Sequence, residues 1–150
     1  MGLFKKRPHS NPLPDKVSNQ QLAIKQAENC IRIIQESSQI LQETANPETF
    51  FSRLELLEEQ IETLKQLSSV IALNISPEEL AATLDKDRQE IIYHLIVRRF
   101  NFAFEKAEQL KTDKGKKNQY QQFYDEFQPY LHLMNEDNIR YLEYKYHSKM

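Results

Sequence analysis

The distribution of glycine is the feature that most constrains the fold of this chain. Its only two glycines are Gly2 and Gly115, so residues 3–114 contain none. Glycine is the residue that most readily forms hinges and turns with positive φ. A stretch of this length without glycine favours long helices joined by short loops.

Residues 87–111 form the most apolar segment and predict a helix buried at the centre of a bundle. At 100° per residue, Ile92, Ile96 and Phe100 share one face, and other apolar residues widen that face past a half-turn. The period-two pattern around Phe100 also suits a strand, but the segment is longer than ordinary strands and contains no Gly or Pro. A helix with so little polar surface is normally buried by its neighbours. We expect its narrow polar stripe to face solvent; it consists of Glu90, His94, Arg98, Asn101, Glu105 and Glu108.

Two capping signals divide the N-terminal part into helices. Asn46 followed by Pro47 predicts a helix start, and hence a hairpin of two antiparallel helices over residues 17–45 and 47–73. Ser76 and the glutamate three residues later have capping-box spacing, which predicts a short helix that ends near Asp85, before the central helix. The heptad positions of the first helix are Val17, Ile24, Ala27, Ile31, Ile34, Ser38, Leu41 and Ala45.

The C-terminal part predicts further helices around the central one. Gly115 is available for a turn or a left-handed helix cap. Aromatic residues between 120 and 127 share one helical face, and Pro129 should kink or split that helix. Asn135 can cap a last helix over residues 136–146. The predicted fold is an all-α bundle of five to six helices, with an N-terminal αα-hairpin and a central buried helix.

Composition limits the domain organisation and the compartment. Residues 1–15 have the basic and proline-rich composition of a disordered tail, and residues 16–150 predict a single helical domain. The formal net charge of −2 does not favour wholesale nucleic-acid binding. Cys30 is the only cysteine, so a reducing compartment fits, and we expect it to be a small buried hydrophobe. No run is long and apolar enough to span a membrane, and we expect a cytoplasmic protein.

The sequence contains no catalytic or metal-binding motif that we can identify. Residues 115–117 lack the other residues of a phosphate-binding loop. The four histidines lie in different segments, outside the spacings of zinc sites. We therefore expect no enzyme activity and no cofactor. An enzyme remains an alternative only if His94, Arg98 and Glu105 converge in a cleft beside another acid.

Three sets of residues are candidates for binding. Arg99 departs from the polar stripe of the central helix, so it is either a snorkelling side chain or a buried or interfacial charge that pairs with a glutamate of the hairpin. A basic loop beside aromatic residues can hold phosphates and stack on bases, and its candidate contacts are Lys111, Lys114, Lys116 and Lys117. The candidate partner surface consists of Leu22, Ile33, Ile40, Tyr141 and Tyr144.

Three strings also resemble a known group of proteins. They are MGLF at residues 1–4, NPETFFSR at residues 46–53 and LKTDKGK at residues 110–116. The chain resembles, over most of residues 45–145, a group of small uncharacterised all-helical proteins of Gram-positive bacteria and their phages. No activity, cofactor or binding site is known for that group, so the resemblance implies an origin and a compartment but not a function.

Taken together, the sequence favours a non-enzymatic protein that binds a protein partner through helix surfaces. The partner is of unknown identity, and a second copy of the chain is one candidate. The alternative is a protein that binds nucleic acid or phosphate through the basic loop at residues 111–117.

Overall fold

The structure is a computed structural model that describes the backbone of residues 15–150 and the side chains of residues 19–150. The disordered tail predicted for residues 1–15 lies outside the described residues, except for Asp15, which begins the first helix. The described part contains no strand, so the all-α prediction is confirmed. Its elements are α1 (Asp15–Glu43), α2 (Pro47–Leu67), α3 (Pro77–Glu108), α4 (Asp113–Phe127), a 3-10 helix (Gln128–Leu133) and α5 (Glu136–Lys149).

The predicted N-terminal hairpin is present as α1 and α2, which pack along one another. Asn46 caps α2, because its side chain accepts a hydrogen bond of 3.0 Å from the backbone N–H of Thr49. Pro47 occupies the first helical position, where its missing N–H costs nothing. The helix ends at Leu67 rather than at residue 73, and the hydroxyls of Ser68 and Ser69 bond to carbonyls of its last turn.

The buried face of α1 shares Ala27, Ile34 and Leu41 with the predicted heptad, and its other three positions each lie one residue earlier in the sequence than predicted. Ile24, which was expected inside, is 47% exposed, whereas its neighbour Ala23 is buried. The face that packs inward has a regular three-four spacing and consists of Ala23, Ala27, Cys30, Ile34, Ser37 and Leu41. Most of these side chains are small, and those of the facing α2 stripe are large. Small side chains let the axis of one helix approach the other closely, so the large residues of α2 complete the packing.

The separate short helix predicted between Ser76 and Asp85 is wrong, because α3 is continuous from Pro77 to Glu108. Ser76 does cap the helix start, since its hydroxyl accepts the N–H of Glu79. No Gly or Pro follows within the helix, and Arg88 pairs with Glu58 of α2 and so ties this part of α3 to the hairpin.

Apart from Pro77 at its start, the central helix is buried over its second half. The residues of that half which pack inward are Ile92, Leu95, Ile96, Phe100, Ala103 and Ala107. Phe102 is one of the other apolar residues predicted to widen the buried face, but it is 53% exposed. The first half of α3 carries mostly exposed or half-buried residues. This uneven burial leaves a space beside the first half of the helix, described below.

The C-terminal helices pack through aromatic side chains. Phe100 of α3 meets Phe123 of α4 edge to face, with ring centroids 5.1 Å apart. Tyr146 of α5 lies 4.4 Å from Tyr124 of α4, centroid to centroid. Its hydroxyl donates a hydrogen bond of 2.8 Å to the side chain of Gln121, so the one polar atom of the ring is satisfied. The predicted break at Pro129 is confirmed as the 3-10 helix.

Gly115 does not form the predicted turn or left-handed cap. It lies in the first turn of α4, and no glycine of the described residues has a positive φ. The hydroxyl of Thr112 accepts the N–H of Gly115 at 3.0 Å, and a Cβ at residue 115 would stand 2.9 Å from that oxygen. Glycine therefore gives the capping hydroxyl of Thr112 the room that a larger residue would take.

Candidate interaction surfaces

Arg99 forms a half-buried ion pair, but its partner is on α4 and not on the hairpin. Its Nε donates to Glu126 Oε1 at 2.9 Å and its Nη2 donates to Oε2 at 3.4 Å. The guanidinium also lies 5.0 Å from the ring centroid of Phe102. Side-chain exposures of 26% for Arg99 and 33% for Glu126 make the pair neither fully buried nor solvated. The pair joins α3 to α4, and the exposed ring of Phe102 lies beside it.

Arg98, which the sequence placed on the solvent-facing stripe, is half-buried instead. Its Nε donates to the carbonyl of Thr44 at 2.8 Å, and its Nη2 donates to the carbonyl of Leu41 at 2.7 Å. Both carbonyls lie at the C-terminal end of α1, where the helix leaves its last carbonyls without intrahelical partners. Burial lowers the pKa of the Arg98 guanidinium. No local sequence pattern predicts this contact, because it depends on where α1 ends in space.

A cleft of about 660 Å³ lies between α1 and the first half of α3, and no pattern in the sequence predicts it. Leu57 and Ile61 of α2 contribute to its lining, as do Ile34 of α1 and Leu84 and Ile91 of α3. His94 and Arg98 line the same cleft with the acids Glu79 and Asp87, but Glu105 is exposed further along α3 and is not part of the lining. The set of three residues that would have favoured an enzyme is therefore not brought together.

The remaining titratable groups form no evident reactive centre within the described residues. Among these residues, no group of three or more His, Cys, Asp or Glu side chains is placed to hold a metal ion. Cys30 is buried in the hairpin, and burial raises the pKa of its thiol. His94 Nε2 lies 3.7 Å from Glu90 Oε2, one helical turn away, and both side chains are more than half exposed.

The basic segment is exposed, but the aromatic residues beside it are not. Lys111, Lys114 and Lys117 are exposed and Lys116 is half-buried, at the start of α4. Tyr120 and the phenylalanines of α4 point into the core. Nucleic-acid sites of the single-stranded type use aromatic rings as stacking platforms. The segment therefore presents positive charge without the rings that would stack on bases.

The candidate partner surface falls into two separate parts. On α1, Leu22 is 59% exposed, and Ile33 and Ile40 are half-buried and lie outside the hydrophobic core. We call these three residues the α1 stripe. On α5, Tyr144 is 73% exposed, and Lys145 Nζ lies 5.5 Å from the ring centroid of its neighbour Tyr141. The structure thus keeps both parts accessible, on helices at opposite ends of the chain.

Comparisons with known proteins add no assignment to this description. No family model matches the chain, and no curated protein or solved structure matches it either. Within the described residues, no helix combines the length and the apolar character needed to cross a membrane. The fold and its surfaces define a helical bundle with a partly exposed apolar stripe on α1 and a cleft of about 660 Å³ beside α3.

Proposed function

We propose that this protein is a non-enzymatic interaction protein that self-associates through the α1 stripe. The observation that carries the proposal is that α1 has apolar side chains on two sides, of which only one side packs into the core. Its inward face is built of small residues together with Ile34 and Leu41. Three further aliphatic residues, those of the α1 stripe, lie outside the core. Exposed apolar residues aligned on one helix are typical of a surface that another helix covers.

A second copy suits the stripe because the two ends of the stripe are placed symmetrically on α1. Leu22, Ile33 and Ile40 share one side of the helix at 100° per residue. Leu22 and Ile40 lie at equal distances from Ile31, so two antiparallel copies would place Leu22 of one chain against Ile40 of the other. Such a pairing is isologous, with the same patch contributed by both copies, and it also brings Lys25 close to Glu36 of the second copy.

Light scattering over a concentration series tests the proposal. We expect a dimer for the native chain and a monomer for the variant Leu22→Glu/Ile40→Glu, because two carboxylates per chain would have to be buried in the pair. Gln89→Glu, which adds a negative charge at an exposed position of α3, is the control and should remain a dimer. A native chain that stays monomeric up to roughly 1 mM would refute self-association.

The alternative, binding of nucleic acid or phosphate at residues 111–117, has weaker support. Three exposed lysines favour it, and the burial of the neighbouring aromatic rings speaks against stacking. The cytoplasmic location inferred from the single cysteine, and the bacterial or phage origin inferred from the resemblance, remain proposals as well.

A further inference from the structure

The cleft between α1 and α3 has the size and the lining of a small-molecule site. Its volume of about 660 Å³ lies within the roughly 300–1,000 Å³ that ligand pockets occupy. Aliphatic side chains from three helices meet there, among them Leu57, Ile61, Leu84 and Ile91. An apolar ligand body placed against these side chains would be removed from water on several sides, which is the main source of affinity in such sites.

At one end of the cleft, Arg98 carries hydrogen-bonding capacity that the fold does not use. A guanidinium has five N–H groups, and two of those of Arg98 are engaged by the carbonyls of Leu41 and Thr44. The arginines that form ion pairs within the described part of the chain are Arg32, Arg88, Arg99 and Arg140. Arg98 is thus half-buried, lines the cleft and has no carboxylate partner among the described residues.

The acids of the cleft lie away from this end. With a rise of roughly 1.5 Å per residue, Asp87 is about 16 Å from Arg98 along the axis of α3, and Glu79 is further still. An anionic group would be repelled by these acids and attracted to the guanidinium. The charges therefore define one orientation, with a negative head at Arg98 and an apolar tail along α3 toward Asp87.

We propose that the cleft binds an amphipathic carboxylate, such as a medium- or long-chain fatty acid. The unused N–H groups of Arg98 hold the carboxylate, and the aliphatic residues of α2 and α3 cover the chain. Planar guanidinium and carboxylate groups fit one another in a charge-assisted pair, which gives the site its preference for the anion. This site is separate from the α1 stripe, so it is independent of the self-association proposed above.

Calorimetric titration of the full chain with sodium decanoate and with 1-decanol tests the proposal. Both probes have the same apolar tail, and they differ in the charge of the head. We expect decanoate to bind at one site per chain, and decanol to bind roughly 10- to 100-fold more weakly because it lacks the charge-assisted hydrogen bonds. Arg98→Met should lower the affinity for decanoate by a similar factor and leave that for decanol unchanged.

A second pair of variants tests the cleft without touching Arg98, whose loss also removes a cap of α1. Thr83 is exposed and lines the cleft, and Ala82 is exposed outside it. Thr83→Trp should fill the cleft and abolish binding of both probes, whereas Ala82→Trp should leave both affinities at the native value.

Three results would overturn the proposal. Decanoate that fails to saturate at one site would indicate partition to the surface only. Equal affinities for the two probes would remove the role of the guanidinium. Equal behaviour of Thr83→Trp and Ala82→Trp would place any bound probe outside the cleft. If Arg98→Met does not fold, the comparison of the two probes and of the two tryptophan variants still decides the question.

Discussion

The α1–α2 hairpin and the α3–α4–α5 region solve the same packing problem with different side chains. In the hairpin, small residues such as Ala27 and Ser37 of α1 oppose the large aliphatic residues of α2. In the C-terminal region, aromatic rings fill the space, and Tyr146 satisfies its hydroxyl with Gln121. Hydrogen bonding of buried polar groups is less complete in the hairpin, because the Ser37 hydroxyl is buried without a hydrogen-bond partner.

Two of the candidate binding features, the α1 stripe and the cleft, lie on the hairpin side. Leu22 lies off the inward face of α1, so it remains exposed. The first half of α3 lacks the aromatic residues that fill the C-terminal region, and the cleft opens there beside Leu84 and Ile91. Aromatic side chains fill the C-terminal core, and the cleft lies where they are absent, beside the first half of α3.

The largest expected effect comes from removing an aromatic ring of the C-terminal region. Phe127 is 1% exposed and contacts the ring of Phe123, so Phe127→Ala should lower the free energy of unfolding by about 3–5 kcal/mol. Urea denaturation followed by circular dichroism measures the loss. The matched control is Phe102→Ala, at a ring that is largely exposed, which should cost less than about 1 kcal/mol. Similar losses in the two variants would contradict the claim that buried rings hold this region together.

Enlarging a small residue of the hairpin should have the next largest effect. Ala27→Leu places a larger side chain in the interface between α1 and α2, which should cost about 1–3 kcal/mol through strain and displacement of the helices. Ala82→Leu makes the same change at an exposed position of α3 and should leave the stability nearly unchanged. A stabilised Ala27→Leu variant would show that the hairpin contains unfilled space rather than closely packed small residues.

The sequence predicts where the helices of this fold begin better than it predicts which face of each helix is buried. Asn46, Ser76 and Asn135 cap helices where expected, because capping depends on neighbouring residues only. The face of α1 was predicted from hydrophobicity, which favours Ile24 over Ala23, but the structure buries Ala23 and leaves Ile24 47% exposed. Helix ends are also hard to predict from local sequence. A helix end was predicted near Asp85, but α3 continues through this position.

The candidate binding surfaces were predictable only where they depend on the pattern of a single helix. The accessibility of Leu22 and Tyr144 follows from their positions off the apolar faces of their own helices, and it agrees with expectation. The cleft and the contacts of Arg98 join α1 and α3 across more than fifty residues of sequence, so no local pattern encodes them. Arg99 could be identified as a candidate because it lies off the polar stripe of the central helix. Arg98 lies on that stripe, so it was expected to face solvent.

The smallest expected effect separates these two arginines. The carboxylate of Glu126 remains partly hydrated beside Arg99, so the pair resembles a surface ion pair more than a buried one. A double-mutant cycle with Arg99→Met and Glu126→Gln should give a coupling free energy of about 0.2–1 kcal/mol, which decreases as salt is raised. The 3–5 kcal/mol typical of breaking a fully buried pair would require both charges to be desolvated.

Arg98→Met should lower the free energy of unfolding more than Arg99→Met does, because it leaves the carbonyls of Leu41 and Thr44 without their donors. The opposite order would mean that the ion pair to α4, and not the cap on α1, is what fixes the position of α3.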